Sequence, residues 1–166
     1  MKLNFFHTFL LFTAVITMNS CSSDVSATPS NTNSKMIAEY SYTILENQTM
    51  DLINKHRVSI GLNSLQQISY VSLKSEEHDN YMITNNVVNH NDFVARSEDI
   101  MKVVGAKTVG ENIAYNYNTA QAAFDAWLAS SVHKANIEGD FTHFGISIRT
   151  NPTTGAKYYT NIFVKI

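Results

Sequence analysis

The side chains that could do chemistry are five scattered residues rather than one compact motif: His78, His90, Glu111, His133 and His143. Neutral imidazoles and a carboxylate are ligands that Zn²⁺ accepts, and the same groups can transfer protons in general acid–base catalysis. The chain contains no HExxH, CxxC, GxSxG, P-loop or GxGxxG spacing. The fold must therefore bring these groups together before they can act as one site.

Each of the five residues also has a purely structural interpretation. His78 falls on the buried stripe of a predicted helix, where a hydrogen-bonded core histidine is expected. Glu111 can serve as a structural carboxylate that accepts backbone N–H bonds, and His133 can cap a helix end. His90 and His143 lie in predicted loops, where functional residues concentrate but exposed residues are also common.

Four segments are predicted to form helices, because their apolar side chains recur at helical spacing: 41–60, 68–86, 97–104 and 119–130. The third is the shortest and has the weakest pattern. The fourth places alanines, a Phe and Trp127 on one face, with Asn118 or Thr119 as its N-cap. Trp127 is therefore expected to be a core anchor.

The last quarter of the chain changes to the alternation of β-strands. Segments 144–148 and 158–166 flank a turn at 151–155, which predicts a β-hairpin with one buried face. Segment 108–114 is predicted to be a strand broken at Gly110. Helices first and an antiparallel hairpin last predict an α+β fold.

Composition excludes several classes of protein. The chain has 166 residues, 12 Lys and Arg, 14 Asp and Glu, and one Cys. There is no basic cluster to attract phosphates, so nucleic acid is not an expected partner. A disulfide scaffold needs more than one Cys. With 44% hydrophobic residues and two prolines the chain is neither disordered nor collagen-like.

Residues 1–20 are predicted to be a secretory signal peptide. Lys2 precedes an uncharged, largely apolar run over 3–18, which is a marginal membrane span because it contains several polar residues. The run ends in Met-Asn-Ser before Cys21, which resembles a bacterial lipobox, whose Cys carries diacylglycerol after cleavage. The alternative is a free Cys that is discarded with the leader.

Residues 21–36 are predicted to be the lipidated Cys21 followed by a flexible tether. The Ser-, Thr- and Asn-rich stretch 22–36 has too few bulky apolar groups to offset its ordering entropy. Two or three acyl chains on Cys21 give stable membrane anchorage. Lipidation also leaves the working domain, 37–166, without a thiol and so excludes a Cys nucleophile.

Several sequence blocks, in order and without large gaps, resemble the CAP superfamily, which includes cysteine-rich secretory proteins, antigen 5 and pathogenesis-related proteins. They are Gly-Glu-Asn-Ile-Ala at 110–114, the Trp-containing block 122–130, His-Lys-Ala-Asn-Ile at 133–137 and Phe-Thr-His-Phe-Gly-Ile at 141–146. Segments 52–65 and 158–163 resemble the first helix and the last strand. The closest likeness is to the bacterial branch, known as SCP domains.

The resemblance implies a three-layer α-β-α sandwich with a central antiparallel sheet and a cleft that holds a divalent metal in many members. Matched to the family pattern, His90, Glu111 and His143 correspond to metal ligands, with His133 as a further candidate. Ser130 occupies the position of the family's second Glu, as in the bacterial branch. The implied cofactor is Zn²⁺ or another divalent metal.

Three functions are compatible with the sequence. The favoured one is a non-catalytic, extracytoplasmic and lipid-anchored binding module whose cleft holds a metal, lipid or peptide. The second is a metal-dependent hydrolase of peptides or envelope polymer, in which Glu111 is the general base and His90 and His143 hold a metal or polarise water. The third is an interaction protein that uses its surface. Fold alone does not separate the three.

Overall fold

The computed structural model describes residues 39–166. The predicted signal peptide, the lipidation at Cys21 and the tether fall on residues 1–36, outside the described part, and stay predictions. Within 39–166, none of the helices has the length and apolar character needed to cross a bilayer.

Five helices are present: α1 at Ile44–Ser59, α2 at Ser69–Asn85, α3 at Phe93–Val104, α4 at Ala120–Ala129 and α5 at Ser131–Ile137. Thr43 begins α1 with a capping box, since its side chain accepts from the Glu46 N–H while Glu46 accepts from the Thr43 N–H. Thr119 caps α4. Helix α3 begins four residues before its predicted start, and the sequence pattern missed α5.

Four strands form one sheet in the order β1-β3-β4-β2: β1 at Gln66–Gln67, β2 at Thr108–Tyr115, β3 at His143–Thr150 and β4 at Lys157–Lys165. The β2–β4 and β3–β4 pairs are antiparallel, and the short β1 adds a parallel pair, so the sheet is mixed. Strand β2 runs through Gly110 without the predicted break.

Helices cover both faces of the sheet, which confirms the α+β sandwich. One core joins α1 and α4 to the β3 side chains Phe144, Ile146 and Ile148. A second joins α2 and α3 to the β4 side chains Ile162 and Val164. Both hairpin strands are therefore buried on both faces, and the prediction of one buried face is wrong.

Side chains satisfy individual backbone groups on β3 and β2. On β3 the N–H of Ile146 donates to Ser72 Oγ (3.1 Å) and that of Ile148 to Glu46 Oε1 (2.8 Å). On β2 the Ile113 carbonyl accepts from Trp127 Nε1 at 2.9 Å.

The buried Arg57 joins α1 to the segment between α5 and β3. Its guanidinium donates to the carbonyls of Asn63, Ile137, Gly139 and Phe141. Burial lowers the pKa of Arg57, and these carbonyls satisfy its N–H groups in place of water. The link fixes the end of α5, the helix that carries His133.

Candidate functional site

The centre of the site is a buried carboxylate held between an imidazole and a guanidinium. Glu111, on β2, has a side chain that is 1% exposed. Its Oε1 lies 2.9 Å from His90 Nδ1. Its Oε2 accepts from Arg96 Nε at 2.8 Å and lies 2.7 Å from Arg96 Nη2. Both oxygens of Glu111 are therefore committed to protein partners.

The loop between α2 and α3 presents His90. Asn86 and Asp92, at the two ends of this loop, adopt left-handed backbone conformations with φ of 51° and 55°. The buried His78 on α2 donates from Nε2 to the Asn89 carbonyl at 2.8 Å. His78 is thus the hydrogen-bonded core histidine that the sequence predicted, and it also fixes the loop beside His90.

A pair of asparagines attaches α5 to β2. Asn112 Nδ2 donates to the His133 carbonyl at 2.9 Å, and Asn136 Nδ2 lies 2.8 Å from Asn112 Oδ1 and 3.1 Å from the Glu111 carbonyl. Gly110 makes room for this contact, because a Cβ there would lie 2.8 Å from Asn136 Oδ1. In the Gly-Glu-Asn sequence, Gly110 therefore lets Asn136 approach β2, Glu111 supplies the carboxylate of the site, and Asn112 attaches α5.

His133 is the imidazole carried by α5. Burial, and secondarily the positive form of His90, lower the pKa of His133 and so favour its neutral form. Ser130 lies at the junction of α4 and α5.

A cavity of about 340 Å³ opens beside His133. Apart from Ser130 and His133 its lining is mainly apolar and aromatic, comprising Val88, Ile113, Ala114, Tyr115, Tyr117, Ala126 and Trp127. Ligand pockets in proteins usually combine such an apolar wall with a few polar groups. We refer to this space as the aromatic cavity.

His143 lies elsewhere on the sheet. It begins β3 and its Nδ1 lies 2.8 Å from Thr142 Oγ1. Strand β4 separates β3 from β2, so the backbones of His143 and Glu111 are two strand spacings apart, about 9.5 Å. Register adds a further offset, since Glu111 is level with Gly145 rather than His143. The structure does not group His143 with Glu111 and His90.

The donor set does not fit the implied metal centre. Within residues 39–166 no group of three or more His, Cys, Asp or Glu side chains is placed to hold a metal ion. Arg96 contributes a positive charge 2.7 Å from the Glu111 carboxylate, where it would oppose a cation. Metal binding by His90, Glu111, His133 or His143 stays a prediction that this geometry does not favour.

Arg96 is the site residue that the sequence interpretation missed. Arg96 precedes the fully buried Ile100 by one helical turn on α3, so it shares that inward face. A charged residue on a buried stripe needs a buried counter-charge. The position of Arg96 on the buried face of α3 could have predicted a buried ion pair, but the sequence did not show that Glu111 was the partner.

Comparisons with known proteins agree with this architecture. The family model described as "CAP: Cysteine-rich secretory protein family" matches residues 50–164. The uncharacterized membrane protein YlbC of Bacillus subtilis (strain 168) is 35% identical over 130 residues. That match covers 74% of this chain but only 35% of YlbC, so the chain spans about a third of this relative.

Solved structures show the same fold. An extracellular SCP-domain protein of Bacillus anthracis str. Ames is similar with a TM-score of 0.64 and 28% identity, over 73% of this chain and 40% of that one. An outer surface protein of Borrelia burgdorferi has a TM-score of 0.67 and 19% identity, over 78% of this chain and 98% of that one. With the family model matching most of the described residues, the chain belongs to the CAP (cysteine-rich secretory protein) family.

Proposed function

We propose that this protein is an extracytoplasmic, lipid-anchored binding module whose aromatic cavity holds the apolar part of a small ligand. The cavity carries the proposal. Its volume of about 340 Å³ lies within the usual range for ligand sites, roughly 300–1,000 Å³. Tyr115, Tyr117 and Trp127 supply apolar surface, while Ser130 and His133 offer polar contacts. The ligand would therefore have an apolar body and one polar end.

The state of Glu111 supports binding rather than turnover. A general base needs a lone pair that can reach the substrate proton. Glu111 is 1% exposed, with one oxygen at His90 and the other at Arg96. In this arrangement the carboxylate is a structural acceptor that orients the groups around it.

A membrane anchor at Cys21 is the second part of the proposal. The signal-like leader before Cys21 motivates it, and proteins similar to this chain include a membrane protein of Bacillus subtilis and an extracellular protein of Bacillus anthracis. If Cys21→Ser leaves the protein in the membrane fraction after washing without detergent, the lipid anchor is wrong.

Trp127 provides a direct test of the cavity, since it is the single Trp of the chain and lines the cavity. We expect 1-octanol to change the Trp127 emission in a saturable way. Ala126→Leu should abolish the change because the larger side chain fills the cavity. Ala122→Leu, on the exposed side of the same helix, should preserve it. Equal responses from both variants would exclude the cavity as the binding site.

A hydrolase remains the second candidate, and the His90–Glu111 pair is the observation that favours it. An imidazole held by a carboxylate through Nδ1 is the arrangement that orients a histidine base. Cleavage of casein or envelope fragments by the full chain, lost in His90→Gln, would support hydrolysis. Equal cleavage by wild type and variant would assign it to a contaminant.

A further inference from the structure

We propose that the aromatic cavity selects ligands whose polar end carries no charge, so that it binds an amide or an alcohol and rejects the corresponding carboxylate. This selectivity rests on the proposed binding function and narrows its ligand to one class, uncharged amphiphiles.

The wall of the aromatic cavity lacks a counter-charge for an ionised ligand. No Asp, Glu, Lys or Arg of the described residues lines it, and most of its surface comes from aliphatic and aromatic side chains. A carboxylate that leaves water for such a wall loses hydration and gains no ion pair in return. The negative faces of the aromatic rings add to this cost. An uncharged amide or alcohol avoids both penalties.

The charged residues close to the wall in the chain or on the neighbouring strand are engaged elsewhere. Lys134 on α5 has its Nζ 3.8 Å from Glu138 Oε1, at the C-terminal end of that helix. Lys157 on β4 has its Nζ 3.4 Å from Asn118 Oδ1. Asp125 on α4 is exposed. Charges in contact with water interact weakly with other charges, so these three do not replace a charge in the wall.

Two polar side chains of the wall are available to the ligand's polar end. Ser130 and His133 are partly buried, and neither side chain makes a hydrogen bond to another described residue. The Trp127 indole N–H, by contrast, already donates to the Ile113 carbonyl. The Ser130 hydroxyl can both donate and accept, as an amide or an alcohol can, whereas a carboxylate only accepts.

Octanamide and octanoate test the selection, because they share one alkyl chain and differ chiefly in the charge of a planar end group. The full chain is titrated with each at about pH 8, where carboxylic acids are ionised and imidazoles are ordinarily neutral. The emission of Trp127, the single Trp of the chain, reports binding. We expect octanamide to bind at least about tenfold more tightly, since an unpaired ion loses hydration in the cavity.

Two results of this titration would count against the proposal in different ways. Equal binding of octanamide and octanoate would overturn the charge selection and leave the cavity function intact. If neither probe changes the Trp127 emission in a saturable way, the proposed cavity function fails, and the charge selection fails with it.

An added lysine tests whether the missing counter-charge is the cause. Val88 lines the cavity and is 48% exposed, so Val88→Lys can place an ammonium at the mouth without burying it. We expect octanoate to bind about two- to fivefold more tightly, as a partly exposed ion pair predicts, with octanamide unchanged. Val94→Lys is the matched control, because Val94 is an exposed valine on α3 that does not line the cavity. An equal response of octanoate to both variants would overturn the proposal.

His133→Gln tests whether the selection depends on the histidine of the wall. The amide side chain retains hydrogen-bonding groups and carries no charge. The preference for octanamide should remain in this variant. Its loss would show that His133, rather than the missing counter-charge, makes the selection, and would overturn the proposal.

Octylammonium tests the opposite charge, because aromatic faces attract cations. It should bind more weakly than octanamide, since its ammonium group meets no carboxylate in the wall. Tighter binding of octylammonium would overturn the assignment of the cavity to uncharged ligands.

Discussion

Replacing Glu46 with Gln would remove the negative charge of a carboxylate that is fully buried beside β3. Oε1 of Glu46 accepts from Tyr40 Oη at 2.7 Å, from the Ile148 N–H at 2.8 Å and from Arg149 Nη1 at 2.9 Å. Oε2 accepts from the Thr43 N–H at 2.7 Å. One side chain thus joins the start of α1 to β3.

The cost of Glu46→Gln follows from these four contacts. The amide oxygen can face the three donors at Oε1, which then lose the additional strength of bonds to a charged acceptor. The amide N–H₂ must then face the Thr43 N–H, donor against donor. Breaking a buried ion pair by removing one partner costs about 3–5 kcal/mol, and Arg149 keeps its second partner, Glu76. We therefore expect a loss of about 3 kcal/mol in the free energy of unfolding.

The measurement is urea unfolding followed by the fluorescence of Trp127. Glu76→Gln is the matched control, because it alters the same arginine network at a side chain that is 31% exposed. Pairs that are partly exposed contribute about 0–1 kcal/mol, so the control should stay within about 1 kcal/mol of the wild type. A similarly small loss for Glu46→Gln would show that the charge of Glu46 does not stabilise the attachment of α1 to β3.

Three further predictions concern the core. Trp127→Ala should lower stability by about 3–5 kcal/mol in urea unfolding followed by circular dichroism, since Trp127 is 1% exposed and its Nε1 satisfies a buried carbonyl; a loss below about 1 kcal/mol would contradict its core position. Gly145→Ala should cost about 1–3 kcal/mol, because a Cβ there would lie 2.4 Å from the Ser72 backbone nitrogen on α2; a neutral result in thermal unfolding would show that α2 can move away. Burial raises the pKa of Asp79 well above its usual value, so the folded protein retains a proton that the unfolded chain loses above about pH 4. Stability of the wild type should therefore fall relative to Asp79→Asn as pH rises from there, by up to about 1.4 kcal/mol per pH unit until the folded group ionises; parallel stability–pH curves for the two proteins would exclude this.

The helices were predictable because their patterns are local. The stripes of α1, α2 and α4 and the cap at Thr119 depend on spacing that neighbouring residues impose on one another. Helix α5 was missed because its seven residues are mostly polar. The hydrogen bonds of Asn112 and Asn136 that attach it to β2 join residues far apart in the chain.

The strands show the limit of alternation as a guide. The alternating pattern in 144–148 and 158–166 predicts that every second side chain is buried, as in a sheet with one solvent-exposed face. In the sandwich, Tyr159 and Phe163 on β4 are as buried as Ile162 and Val164. A layer of helices on each side removes the polar face, and the sequence of a single strand does not show how many layers cover it. Gly110 was interpreted as a break, whereas it makes room for Asn136 against a continuous β2.

The sequence by itself determined the family, through blocks such as 110–114, and the candidate side chains, through their types. The tertiary structure decided which candidates meet. His143 and Glu111 are separated by β4, while His90 and Arg96 reach Glu111 from a loop and a helix on one side of the sheet. Strand order and helix placement fix these distances, and both arise from contacts between residues far apart in the chain. Patterns formed by residues that are close in the sequence therefore do not reveal these distances.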